Sequence, residues 1–595
     1  MKITLVLLAA LLGVAAGASA QTAPLGASVV TYGAAPDNRT DSTAAIQHAI
    51  DDVAQRAGGG RIVFPSGQGC YVVSAPLTIR ASGVFLEGEA NRAFNDAGPC
   101  LRTDGYVGPL LHITNPANQA NLALTSSLVA GPGQALATTA AGQNTATYVD
   151  LQDASVPAQL NGLPTFTAEL FFRITNAPAR GGGPVVLLAS FGNLGPNETS
   201  GYAFGFEVSE TLELTGRMTI GGEAAHVGGY VLSLNTVYHT ALTYDGASVR
   251  LFAGTPGRPS TLVGTVAARG PVTQAPFEMM PIGGRRSPWP RGGPYTNPID
   301  GVMDSIRLSR TARYTAPFAT PAAKLAFDAE TLILENFDRE VSGDWSIVRT
   351  SLGGLTYLPK YGTFTGALLG NIEVSHLELR PGFGQAIWAY AVLTSSFHDL
   401  SLVGGTFGFT GLGNFLNRFD NIHLTSTGPH GRVGLDLSGG VSGITSVRNL
   451  TFTAWAFGIV QDSGSSTFDS LYFHGDKQVI PIVLRHGSYL VMSTSFSIED
   501  ADPGPYVANL LLVDNPNVAI VGGEFERFFS PGPAVQVDGG KAITFTAAYA
   551  RPHPRATEII RIVAPTANRI LILNGYTDQP GVPWTTSARD VTVLP

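Results

Sequence analysis

The stretch from Val29 to Glu89, VVTYGAAPDNRTDSTAAIQHAIDDVAQRAGGGRIVFPSGQGCYVVSAPLTIRASGVFLEGE, decides how the rest of the chain is read. Val29-Val30-Thr31-Tyr32 predicts a short strand, stopped by a turn at Gly33. Asp41-Ser42-Thr43 then opens a helix, with Asp41 or Ser42 placed to accept the free N–H groups of its first turn. Ala45, Ile46, Ala49, Ile50 and Val53 recur at helical spacing and give that helix one apolar face. Gly58-Gly59-Gly60 ends it. Four short strands follow, at residues 61–64, 71–73, 77–79 and 84–88.

This series resembles the N-terminal module of the pectate lyase superfamily. The match is carried by the Tyr-Gly-Ala turn, the aspartate-rich loop with Asp37 and Asp41, the AIQ-AID helix, the triple glycine and the V-FP-G-Y strand. The resemblance implies a right-handed parallel β-helix whose open end is closed by the short helix. Without such a cap, apolar side chains and unpaired strand edges would face water. It also implies a glycan-handling protein with polysaccharide as its partner. Asp37 and Asp41 are expected to be turn and cap residues.

From about residue 120 to 340 the pattern changes to longer strands, among them residues 166–172, 202–206, 238–244 and 249–252. The stretches H-ALTYDG-VRLF, IGG and IDGVMDSIRLS are similar to laminin-G-like, concanavalin-A-like jelly rolls, with Val237-Tyr238 where such domains usually carry tryptophan before the histidine. An insert of this kind is expected to leave the β-helix through a surface turn. His239 lies on one of its strands and is expected to be structural.

After Gly366 a spaced apolar triplet recurs: Val374/Leu377/Leu379, Phe397/Leu400/Leu402, Phe419/Ile422/Leu424, Val447/Leu450/Phe452 and Phe468/Leu471/Phe473. The starts lie 21 to 28 residues apart, as expected if each unit is one coil with its apolar side chains stacked inward. Weaker echoes continue at Phe496/Ile498, Val518/Val521, Ile543/Phe545 and Ile570/Ile572. The predicted fold class is therefore all-β: a right-handed parallel β-helix with a short N-terminal capping helix, plus an inserted antiparallel β-sandwich (jelly roll). The expected division is residues 1–20 as leader, 21–119 as the first part of the β-helix, 120–340 as the insert and 341–595 as the main β-helix.

Stacking brings residues one coil apart within about 4.8 Å. One outward column is expected to run Glu378, Ser401, His423, Thr451, Tyr472 and Ser497. The next is expected to run Arg380, Val403, Thr425, Thr453, His474, Glu499 and Glu524. The second column would gather a histidine and two carboxylates, so His474, Glu499 and Glu524 are the candidate catalytic groups. A hydrolase needs one carboxyl kept protonated and a second kept ionised. A lyase needs a base and cations to neutralise a uronate. Tyr472, Lys477, Arg485, His423 and Trp455 are candidate substrate contacts, with His486 beside them. Asp399, Asn421, Asn449 and Ser470 occupy equivalent places and predict a turn ladder bonding local backbone. Asp436 and Asp462 are placed in loops without a named partner.

The first residues supply the remaining expectation. Lys2, an apolar run from Leu5 to Ala16 and Ala18-Ser19-Ala20 before Gln21 describe a signal peptide, and so a secreted or periplasmic protein. No later run is long enough to span a bilayer. Only 13% of residues are charged, Gly totals 71 and Pro 39, and the net charge is −8 with no basic cluster, which argues against nucleic acid as a partner. No Cys/His spacing resembles a zinc site, and no cofactor or metal is expected, with calcium as an open alternative. Cys70 and Cys100 are either bridged or two buried thiols. The function expected is cleavage of a polysaccharide by a glycoside hydrolase or polysaccharide lyase, with a noncatalytic exopolysaccharide-binding or adhesion protein as the alternative.

Overall fold

Among the described residues the two largest apolar cores lie one inside a parallel β-helix and one inside an antiparallel sandwich, and a smaller buried cluster around Val460, Val483 and Leu511 lies apart from both. The computed structural model describes residues 26–89, 99–104, 109–115, 124–131, 133–138, 149–151, 160, 162–178, 184–192, 202–273, 278–283, 299–337, 346–350, 353–357, 368–382, 384–405, 407–412, 416–427, 433–437, 445–455, 457–462, 464–474, 480–497, 508–526, 532–562, 568–586 and 591–594. The leader, Lys477 and Glu499 lie outside the described residues. Among those described, no helix is long and apolar enough to cross a membrane.

The helix predicted after Asp41 spans Thr43–Ala54 and buries Ile46, Ala49, Ile50 and Val53 against the β-helix core. Asp41 Oδ1 accepts the Thr43 N–H at 3.0 Å, whereas Ser42 turns away and accepts the Ala35 N–H. The segment Val29–Tyr32 departs from expectation. It is a 3-10 turn, not a strand, closed by Gly33 in the left-handed region at φ 98°. Its Tyr32 hydroxyl donates to Asp52 at 2.6 Å, which ties the turn to the capping helix. At Gly59 (φ 77°) a Cβ would meet the Gly83 carbonyl oxygen at 2.0 Å, so the glycine run is fixed by close approach of the next coil.

Each coil contributes strands to three parallel ribbons. The first ribbon contains Gly60–Phe64, Val84–Gly88 and Glu373–Ser375, in register Ile62↔Leu86↔Val374. The second contains Tyr71–Val73, Cys100–Thr103 and Glu378–Arg380. The third contains Leu77–Ile79, Leu111–Thr114 and Gln385–Tyr390. Coils before and after the insert are thus hydrogen-bonded to each other directly, and the β-helix is continuous across it. Inside, Phe452, Phe473, Phe496 and Phe525 stack with ring centroids 4.7 to 5.1 Å apart. Cys70 immediately precedes Tyr71–Val73, Cys100 starts the neighbouring strand, and the two are bridged with their Cα atoms 4.6 Å apart.

The first and second ribbons meet at a bend that needs left-handed backbone. Asp399, Asn421, Asn449 and Ser470 all sit there with φ between 52° and 55°, joined by His376 and Ser493. The expected turn ladder falls at this bend, but its described side-chain bonds run to other side chains and not to local backbone. Asn421 donates to Asp399 at 2.5 Å and Asn449 to Asp420 at 2.9 Å.

The insert is a sandwich of a six-stranded and a ten-stranded antiparallel sheet. The larger sheet takes in Ser346–Thr350 and Gly353–Tyr357, so it runs past residue 340, and the β-helix resumes at Leu369–Gly370. His239 is buried within it and contacts Glu169 at 3.0 Å. Glu169 is also held by Arg307 at 2.7 Å and by the Tyr314 hydroxyl at 2.9 Å.

Candidate active site

Strand register fixes which outward side chains share a column. Glu378, Ser401, His423, Thr451 and Tyr472 follow one another as expected. The next members are Ser495 and Glu524, not Ser497. His474 is followed by Ser497, so Ser497 occupies the place expected for Glu499. Glu524 therefore belongs to the Tyr472 column, and the grouping of His474, Glu499 and Glu524 in one column is not formed. The cause is Thr494. It fills the inward place held by Leu471 one coil earlier and is buried, which hides the apolar signal there. Glu524 lies near Arg551, at 3.7 Å.

Two expected substrate contacts are also corrected. Trp455 is completely buried in the β-helix core. Arg485 is buried too, on the outer side of the third ribbon. His423 is half-buried, and burial holds its imidazole below the usual range. Tyr472 is exposed, its ring 6.0 Å from that of His474.

The outer face of the third ribbon gathers a different set. Its later strands are Val433–Leu437, Phe457–Asp462, Ile482–Arg485, Leu510–Asn515 and Val535–Thr546. Leu435, Ile459, Ile482, Leu510 and Val535 point into the core. The alternation of a strand then turns Asp436, Val460, Val483, Leu511 and Gln536 outward. Two positions further on, Arg485, Val513 and Asp538 form a second outward column, in backbone register with Asp462 on the coil before. Asp436 and Asp462 thus lie on strands, not in loops.

At the end of this column the chain turns through left-handed residues, His486 (φ 51°), Asp514 (φ 47°) and Gly539 (φ 90°). That turn brings Asp514 beside Asp538 of the next coil. Asp538 is buried and accepts hydrogen bonds from Gln536 Nε2 at 3.3 and 3.5 Å. Burial pushes its carboxyl up to about 6, against the opposing pull of Gln536. Burial also pushes half-buried Asp514 up to about 6, with His486 opposing and the charge of Asp538 adding. Two neighbouring carboxyls that disfavour joint ionisation can share one proton, the arrangement that separates an acid from a base. A sequence signal existed: VQDSG, VLRHG, LVDNP and QVDGG each end an apolar strand on polar residues.

Residues 26–119 match a family described as rhamnogalacturonase A/epimerase, pectate lyase-like. Residues 143–316 match the concanavalin A-like lectin/glucanases superfamily. Both are carbohydrate-related families. No curated protein matches the chain. Among solved structures, a SAP-like pentraxin from Limulus polyphemus is 11% identical, covering 30% of this chain and 76% of its own, with a TM-score of 0.22. The Ruminococcus gnavus IT-sialidase CBM40 is 15% identical over 33% of this chain and 95% of its own, with a TM-score of 0.22. An alginate lyase from Paenibacillus sp. is 13% identical over 38% of this chain and 85% of its own, with a TM-score of 0.30.

Proposed function

We propose that this chain, a pectate lyase-like β-helix interrupted by a concanavalin A-like sandwich, is an exported enzyme that hydrolyses a polysaccharide at the turn that ends its third ribbon. The observation that carries the reading is the pair Asp514 and Asp538, set side by side on adjacent coils with both carboxyls raised to about 6. Asp538, the more enclosed, holds the proton and acts as the acid toward the glycosidic oxygen. Asp514, half-buried, acts as the ionised partner, either on water or on the sugar carbon.

A second reading, a noncatalytic glycan-binding protein, is favoured by the lectin-like match of residues 143–316. One assay separates the two. The protein is incubated with a panel of neutral and acidic polysaccharides, and reducing ends and the ultraviolet absorbance of unsaturated uronates are both recorded. Reducing ends without that absorbance support hydrolysis, both together support a lyase, and retention on a glycan without either supports a binder. Asp538→Asn and Asp514→Asn should each lower turnover by about 10²–10⁴-fold if they transfer the proton.

A further inference from the structure

We propose that His376, His398 and Asp399 form a binding site for one divalent transition-metal ion, of the class that takes Zn²⁺, which joins the first coil after the insert to the second. The three residues each offer a ligand atom, and these atoms lie within 4.8 Å of one another. They come from two coils. His376 is the bend residue of the coil that returns from the insert, and Asp399 is the bend residue of the next, both left-handed at φ 56° and 52°. His398 precedes Asp399 and stacks on Ser375. All three side chains are partly enclosed yet open to solvent, at 20, 25 and 35% exposure, so an ion can enter.

Small side-chain shifts would bring the atoms to the spacing of a tetrahedral ion. Asp399 Oδ2 lies 2.7 Å from His398 Nδ1 and 3.8 Å from His376 Nε2. Two ligands on a tetrahedral zinc with bonds near 2.0–2.1 Å stand about 3.3 Å apart, between those two separations.

The surroundings orient the ligands as metal sites require. Nε2 of His398 faces Glu373 Oε1 at 3.5 Å, which leaves Nδ1 for the ion, the carboxylate–histidine–metal pattern. Glu373 is itself held by the Ser375 hydroxyl at 3.2 Å. Asn421 donates to Asp399 Oδ1, and Oδ2 faces the two imidazoles. Two imidazoles and one carboxylate suit zinc and its neighbours rather than calcium, which takes oxygen ligands. The fourth position is filled by water.

The site serves a mechanical purpose independent of the glycan reading. The coil carrying His376 is where the two chain segments flanking the insert meet, because its strands pair with Val84–Gly88 on one side and Ser396–Val403 on the other. An ion across that seam resists its opening.

The test uses the tag-free full chain, stripped with a chelator. Co²⁺ is titrated in while its visible absorption is followed, and Zn²⁺ is titrated by calorimetry. The expected result is one equivalent of either ion, a tetrahedral Co²⁺ spectrum, and a rise in Tm with Zn²⁺. His376→Ala and His398→Ala should abolish binding, while Glu373→Gln should weaken it about 10–100-fold. Absence of a stoichiometric Co²⁺ or Zn²⁺ signal in the wild-type chain, or its survival in both histidine variants, overturns the proposal.

Discussion

If Asp538 is the proposed acid, it couples activity to stability in a way that pH resolves. Its folded value of about 6 exceeds the roughly 3.9 of an unfolded aspartate. A raised value means the folded state holds the proton more tightly. The resulting stabilisation is complete below about pH 4 and is lost as pH rises through about 6. Asp538→Asn carries no such loss. It should therefore raise Tm above wild type near pH 8 and match it near pH 4, while turnover collapses at both. A Tm lower than wild type near pH 8 would count against the enclosure of this carboxyl. Activity of the wild type should trace a bell centred near pH 6, because the coupled pair with Asp514 works only when one member is protonated. Trp455 makes the opposite case. It looked like a sugar platform in sequence but fills the core, so Trp455→Ala should cost about 3–5 kcal/mol and leave glycan affinity of the folded fraction unchanged. Aromatic residues are legible as apolar, but which side of a ribbon they take depends on register, and register is a property of the stack.

At the scale of the element, the coils were legible wherever the inward residues were all apolar. The expected columns hold from Glu378 to Tyr472 and from Thr425 to His474. They fail at Thr494, where one polar inward residue shifts the apparent pattern by two and misplaces Glu524. The Asp514–Asp538 pair was missed for a related reason. It arises where the third ribbon turns, and a turn's apposition of two coils has no period to read. The bend ladder was legible because Asn, Asp and Ser are the residues that tolerate a left-handed backbone. Ser470 offers the cleanest test, since it is exposed at φ 54° and its hydroxyl donates to its neighbour Asp469 at 3.1 Å. Ser470→Gly should leave Tm unchanged or slightly raised. Ser470→Val should destabilise by about 1–2 kcal/mol, because a β-branched side chain clashes in that conformation. Equal Tm values for the two variants would contradict the strain at this bend.

At the scale of the whole molecule, the insert divides the β-helix in sequence but not in space. Val84–Gly88 hydrogen-bonds directly to Glu373–Ser375, and Leu111–Thr114 to Gln385–Tyr390, so the N-terminal module and the main coils share one core. The sandwich keeps a core of its own. Two consequences follow from that difference. Residues 21–119 alone should not fold, because the coil edge at Val84–Gly88 and Cys100–Thr103 would lose its partner strands and expose the core. The Cys70–Cys100 bridge cannot rescue it, since closing a loop of 30 residues contributes only about 3–4 kcal/mol. The sandwich, expressed as residues 120–357, should instead give a soluble domain with its own cooperative melt. Excising the same residues and joining the ends with a short Gly/Ser linker should leave the β-helix folded, because loop closure there costs little more than the natural connection. Circular dichroism and limited proteolysis would read both fragments. If the excised chain unfolds while the isolated sandwich also fails, the two cores depend on each other and the insert is part of the β-helix's stability. If the excised chain folds and still releases reducing ends from a short soluble glycan, catalysis lies in the coils and the sandwich acts only on substrate capture.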